Sequence, residues 1–181
     1  MGEQEQRLVN RKTLQKYLDR LAYHMVVEGD KTGDILIVGG AYVMLTKINS
    51  RMTMDIDEAI KTKTDFFDCC LKASRDMGLS ENFMNGEVMR SPSYTYKLFE
   101  KARLWKTIRG VLNIYIPDII DAYCMKLVAF RSKDRSDLEK MGKLLKKDGV
   151  TGKYVRERYQ YLYGEPLIES SKIEFISKNL N

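Results

Sequence analysis

Residues 35–57 read ILIVGGAYVMLTKINSRMTMDID. Ile35-Leu36-Ile37-Val38 is a short apolar, mostly β-branched run, the pattern of a buried strand. Gly39-Gly40 follows directly, and Ala41 to Ile48 reads as a short helix. Met52 to Glu58 then alternates, with Met52, Met54 and Ile56 on one side and Thr53, Asp55 and Asp57 on the other. A two-residue period predicts a half-buried strand. On such a strand Asp55 and Asp57 share a face, roughly 7 Å apart along the chain. Two carboxylates so placed suit Mg²⁺ or Mn²⁺, hard cations that take one or two carboxylates plus phosphate oxygens. Two such ions stabilise the attacking and leaving oxygens of an in-line phosphoryl transfer. The missing side chains of Gly39 and Gly40 let a phosphate approach the backbone, where helix-start amides donate to it. Arg51 and Thr53, just upstream of the acids, are placed to reach triphosphate oxygens.

Outward from this stretch the chain is organised by three prolines, Pro92, Pro117 and Pro166. Residues 10–28 form an amphipathic helix, with Leu14, Tyr17, Leu18, Leu21 and Met25 at three- and four-residue steps. Residues 59–77 read as a second helix with Phe66, Phe67, Cys70 and Leu71 on its apolar side. Turn signals fall at Asn85-Gly86 and Ser91-Pro92. Residues 94–99 and 103–108 are short strand candidates, and Val111 to Ile116 is a better one, ended by Pro117. Helical spacing resumes after Pro117, and further helices run from about Asp134 to Lys147 and Lys153 to Tyr163. About four strands and five or six helices make an α+β (α/β-like) fold with a helical C-terminal part. We expect one domain over 1–181, with an α/β core over about 10–116 and the helical part over about 117–181.

Composition removes several function classes. Hydrophobic residues are 44% and charged residues 31% of the 181, a globular balance. No apolar run approaches the roughly 20 residues that span a bilayer, so no membrane partner is expected. The polar start MGEQEQRLVNRK lacks the apolar core of a secretory signal. Cys69, Cys70 and Cys124 have no zinc spacing and read as reduced thiols of a cytoplasmic protein. The single histidine, His24, excludes an HExxH metalloprotease and reads as a structural or surface residue. Net charge is +6. Residues 1–90 carry 13 basic and 14 acidic side chains and residues 91–181 carry 18 and 11. The positive field of the second half favours a polyanion such as nucleotide or RNA, or is a solvated lysine-rich surface.

Two later clusters bear on that field. Lys97, Lys101, Arg103, Lys106 and Arg109 interleave with Tyr96, Phe99 and Trp105, which suits a single-stranded nucleic acid or a tRNA end. The same residues also describe a charged sheet edge whose aromatics point inward. Lys126, Arg131, Lys133, Asp134 and Asp137 form the second cluster. Lys126 and a neighbouring cation reach nucleotide phosphates with Asp134 orienting them, or Lys126 snorkels and Asp134 and Asp137 cap a helix.

Residues 38–57 resemble the signature of the DNA polymerase beta-type nucleotidyltransferase superfamily: a hydrophobic residue, Gly-Gly, a spacer, then Asp-x-Asp. GGAYVMLTKINSRMTMDID is similar to the arrangement of its AbiEii-like branch, which includes abortive-infection and toxin–antitoxin nucleotidyltransferases. PDIIDAYCMKLVAFRSKDRSDLEKM, residues 117–141, resembles the late helical motif of that branch. The resemblance implies a small mixed sheet flanked by helices, with Gly39 and Gly40 on phosphates and Asp55 and Asp57 holding Mg²⁺. It implies an NTP as substrate, transfer of its nucleoside monophosphate to a hydroxyl of RNA, tRNA or protein, and an antitoxin protein as a partner. It also implies a third acid from a later strand. The candidate strand VLNIYI carries Asn113 there, which adds no charge and is a poor base. A nucleotide- or RNA-binding regulatory protein with impaired catalysis is therefore the alternative.

Overall fold

The computed structural model describes residues 8–29, 31–50, 52–60 and 66–180. It forms two compact units. One holds the described residues up to Met89 together with Ala102–Ile116, and the other holds Arg90–Lys101 and the described residues from Pro117. Each is taken separately.

The first unit opens with α1 (Arg11–Val27), started by the Asn10 side chain accepting from the Thr13 amide at 3.0 Å. Leu14, Tyr17, Leu18, Leu21, Ala22 and Met25 form its buried face, as the helical period requires. Then come β1 (Gly33–Ile37), α2 (Gly39–Leu45), β2 (Ile56–Ile60), α3 (Phe67–Asp76) and β3 (Met84–Asn85). The hairpin strands β4 (Arg103–Ile108) and β5 (Leu112–Ile116) complete a mixed sheet of order β3-β2-β1-β5-β4. β1 lies at the centre, antiparallel to β2 and parallel to β5. Ile35, Leu36 and Ile37 are accordingly fully buried. Ile35, Ile37, Ile56, Leu112 and Ile114 pack with α1 and α3 residues in one hydrophobic cluster. Each such buried aliphatic side chain contributes about 1.5–3 kcal/mol.

Three local expectations are corrected. The strand after α2 covers 56–60, not 52–58: Met52 and Met54 are 52% and 43% exposed, and only Ile56 enters the core. Residues 59–60 continue β2, and α3 begins only at Phe67. Its buried residues are Cys69, Cys70, Ala73 and Ser74, while Phe67 faces solvent. Residues 94–99 are not a strand, because Tyr96–Phe99 is a 3₁₀ turn started by the Thr95 hydroxyl.

In the second unit Asp118 caps α4 (Ile119–Ala129) by accepting from the Ile120 amide at 3.1 Å. α5 (Arg135–Lys147) and α6 (Gly152–Tyr163) pack against it, and α7 (Ser170–Leu180) packs against α5 and α6. α7 was not foreseen, and the described residues hold seven helices and five strands. Arg158 of α6 clasps Asp121 of α4 through two buried contacts of 2.6 and 2.7 Å. All three cysteines are free and buried.

Glu58 stands out on the core face of β2. It pairs with Ile37 across the sheet and is 5% exposed. Burial pushes its carboxyl from the ordinary range near 4.5 up to about 8, against partial relief from the amides of Glu58 and Asn85. The folded protein therefore holds a proton that the unfolded chain releases between these values, so stability falls as pH rises across that window. We predict that Glu58→Gln removes this slope: variant and wild type melt alike near pH 5, and the variant is more stable by a few kcal/mol at pH 8.5. Thermal melts at half-unit pH steps measure this, and parallel curves exclude the buried proton.

Candidate functional site

The end of β1 and the start of β2 meet at one glycine. The chain leaves β1 at Val38, whose amide donates to the Asp57 carbonyl at 3.0 Å. Gly39 follows with φ +63, in the left-handed region that favours glycine. A Cβ at Gly39 would collide with the Asp57 carboxylate, its Cγ lying 3.1 Å away. Gly39 is thus favoured on two counts: a side chain there would sit on a strained backbone and would have to displace the Asp57 carboxylate. The structure brings the glycine turn and Asp57 together.

Asp55 sits on a bend immediately before β2, half-exposed like Asp57, with the buried Ile56 between them. It owes its position to Thr53. That residue bridges to Val9 through backbone bonds of 2.8 and 3.1 Å, and its hydroxyl donates to the Asp55 carbonyl at 3.1 Å. Thr53 is 8% exposed, so it holds the acid loop rather than reaching outward to a triphosphate. Gly40 is half-buried in the first turn of α2. Arg51 lies outside the described residues.

Strand register separates Asn113 from these groups. Asn113 pairs with Asp34, four residues before Val38 on β1, or about 13 Å along the strand. Its amide donates to Asp34 Oδ1 at 2.9 Å, and its carbonyl accepts from the Thr107 hydroxyl at 2.8 Å. The expected third metal-site position on β5 therefore does not fall at Asn113. Asp57, Ala59, Leu36 and Tyr115 share one sheet face, since Ala59 and Tyr115 both pair with Leu36. Tyr115 is the β5 residue of that face nearest Asp57. Sequence reading missed it because parallel register is invisible in an apolar run.

Asp55 and Asp57 offer the hard oxygen donors that Mg²⁺ or Mn²⁺ takes. Among the described residues no three His, Cys, Asp or Glu side chains form a metal-sized group. By residue type alone, Asp57 and Asp55 two residues before it are donors that Mg²⁺ takes together with water and phosphate oxygens.

The late cluster belongs to the second unit. Lys126, 5% exposed, lies 2.9 Å from Asp134 Oδ1 and 3.0 Å from Asp137 Oδ2. Arg131 Nε donates to Asp134 Oδ2 at 2.7 Å. Burial alone raises the Asp134 carboxyl, but the Arg131 and Lys126 bonds outweigh it and hold it below the ordinary carboxylate range. Asp134 stands at the N-cap position of α5 with Asp137 in the first turn, as the capping alternative has it, but its carboxylate bonds Lys126 and Arg131 and makes no cap bond. Lys133 is exposed beside it. The basic–aromatic segment is divided between the units: Lys97 bonds the Tyr161 carbonyl at 2.6 Å in the second, and Trp105 packs against the core of the first. Tyr96 is 72% exposed.

A family model described as "Nucleotidyltransferase of unknown function (DUF6036)" matches residues 13–151, more than three quarters of the chain. No curated protein and no solved structure matches it.

Two substitutions test these placements by denaturant unfolding. Asn113→Asp replaces a donor to Asp34 with a second carboxylate and is expected to cost about 1–3 kcal/mol at pH 7. An unchanged stability would contradict the Asp34 contact. Lys126→Met leaves Asp134 and Asp137 buried without their shared cation and is expected to cost about 3–5 kcal/mol. A loss below 1 kcal/mol would show that Lys126 is not committed to them.

Proposed function

The chain belongs to the nucleotidyltransferase family whose model it matches, and from that premise we propose that it transfers a nucleoside monophosphate from an NTP to an acceptor hydroxyl. The observation that carries this reading is the Asp57 carboxylate lodged against the Cβ-less turn at Gly39. Gly39 and Gly40 cradle the triphosphate against bare backbone. Asp55 and Asp57 hold the divalent cation, Mg²⁺ or Mn²⁺, with Thr53 fixing the Asp55 loop. When bound, the cation neutralises phosphate charge and polarises the phosphorus under attack. The acceptor oxygen bonds to the α-phosphorus, the bond to the bridging oxygen breaks, pyrophosphate departs and the hydroxyl proton is released. Positioning and charge neutralisation supply most of the rate. Arg51 completes the phosphate contacts in this proposal. Arg131, bonded to Asp134, and the exposed Lys133 are its reserve of positive charge in the second unit. The acceptor in this proposal is a hydroxyl of RNA, tRNA included, or of a protein.

The likeness of residues 38–57 and 117–141 to the AbiEii-like branch supports a toxin–antitoxin role with an antitoxin protein as partner. A second reading is favoured by one observation. Asn113 is remote from Asp57, Tyr115 stands nearest it on β5, and no third acid joins the pair among the described residues. This is the pattern of a binding or regulatory protein with reduced turnover.

Incubation of the full chain with each α-labelled NTP, total RNA and Mg²⁺ separates the two. We predict a labelled product that falls about 100-fold or more in Asp57→Asn while its melting temperature stays within a few degrees. Nucleotide binding without labelled product for any NTP supports the regulatory reading. Undiminished transfer by Asp57→Asn removes the proposed site.

A further inference from the structure

We propose that the groove between α1 and β4 docks the phosphodiester backbone of a single-stranded nucleic acid. This open groove of about 980 Å³ lies wholly within the first unit. Five cations, Lys12, Lys16, Arg20, Lys106 and Arg109, line it, with Asp19 as the one acid. Lys12, Lys16 and Lys106 are exposed and have no ion pair among the described residues. Lys12, Lys16 and Arg20 follow one another at four-residue steps on α1. Such steps stand about 6 Å apart along the helix axis and on nearly one face. A ladder of like charge at short regular spacing fits a polyanion that repeats its charge in the same way, and not one small anion.

The arginines add shape to the charge. Arg20 and Arg109 approach the Tyr23 ring from α1 and the end of β4, with guanidinium carbons 5.5 and 5.7 Å from its centre. Asp19 holds Arg109 at 3.0 Å and Asp76 holds Arg20 at 3.4 Å. Two planar forks are thereby pre-set beside a ring that is 41% exposed. Guanidinium forks match phosphate oxygens, and an exposed ring flanked by cations offers a base a stacking surface. An acidic peptide uses the charges but not the ring, so the aromatic clamp favours nucleic acid. The groove lies at the Gly33 end of β1, because Arg109 follows β4 where Ile108 pairs with Leu112 and Gly33 pairs with Leu112. It is therefore distinct from the Gly39–Asp57 turn at the other end of that strand. The inference rests on the transfer reading only in naming nucleic acid as the acceptor. The docking itself needs no turnover.

Fluorescence anisotropy of the full chain with a labelled mixed-sequence 12-nucleotide RNA, and with its DNA counterpart, tests this without NTP. Lys16→Glu/Lys106→Glu is compared with Lys143→Glu/Lys147→Glu, which makes the same change of charge on exposed positions of α5. We expect the groove pair to weaken oligonucleotide binding about tenfold or more and to flatten its salt dependence, and the α5 pair to weaken it less than threefold. Equal affinity for RNA and DNA identifies the shared backbone as the ligand, and preference for RNA adds its 2′-hydroxyls; both support the groove. No binding by the wild type at 100 mM salt, equal loss in the two variants, or equal competition by polyglutamate would overturn it. Because the anisotropy assay contains no NTP and scores no product, a failure of transfer and a failure of docking are read separately.

Discussion

One steric constraint organises the first unit: the carboxylate of Asp57 occupies the volume where a side chain at residue 39 would begin. Glycine accepts both that approach and a φ of +63 without strain, whereas a side chain there would have to displace the carboxylate. The central strand β1 is thereby allowed to turn into α2 while β2 passes beside it, tied by the Val38–Asp57 backbone bond. The place of Asp57 beside the glycine turn follows from this junction. A strand buried on both faces delivers the glycine, and the core-directed Ile56 turns the acids beside it away from the interior. The Thr53 bridge to Val9 holds the preceding loop in place.

The second unit solves a different electrostatic problem. It buries Asp121, Asp134 and Asp137 completely and answers them with Arg158, Lys126 and Arg131. Burying a carboxylate is costly unless it is paired and hydrogen-bonded, so Arg158 and Lys126 are held internally before any ligand arrives, while Arg131 caps Asp134 from the surface. This limits what the positive balance of the C-terminal half offers a polyanion. The cations of the α1–β4 groove that have no ion pair among the described residues include two lysines from α1, in the half of the chain whose net charge is slightly negative. Net charge by sequence segment and charge by surface are separate quantities here.

Much of the fold was legible because its strongest signals are single-element ones. The α1 period, the β-branched run of β1, the strand before Pro117 and the helices around 119–129, 135–147 and 152–163 all stand where periodicity puts them. The glycine turn and Asp57 were legible as a motif, and their contact agrees with it. What was illegible depends on pairing. Met52, Met54 and Ile56 alternate, yet an alternation carries no record of a partner strand, and residues 54–55 bend instead. Asn113 was placed by its strand alone, whereas its depth in the sheet is set by the β1–β5 register. Asp134 and Asp137 have the spacing of a capped helix start, and the tertiary approach of Lys126 redirected both. The α1 cations were hidden because a helix's outer face looks the same whether or not a strand edge lies across from it.

The most direct test is a crystal structure of the full chain with Mn²⁺ and a non-hydrolysable NTP analogue, using the anomalous signal of the metal. The account predicts a manganese peak bonded to the Asp57 carboxylate, with the triphosphate lying over the Gly39-Gly40 backbone. A metal and nucleotide bound elsewhere, with Asp57 touching neither, would contradict it.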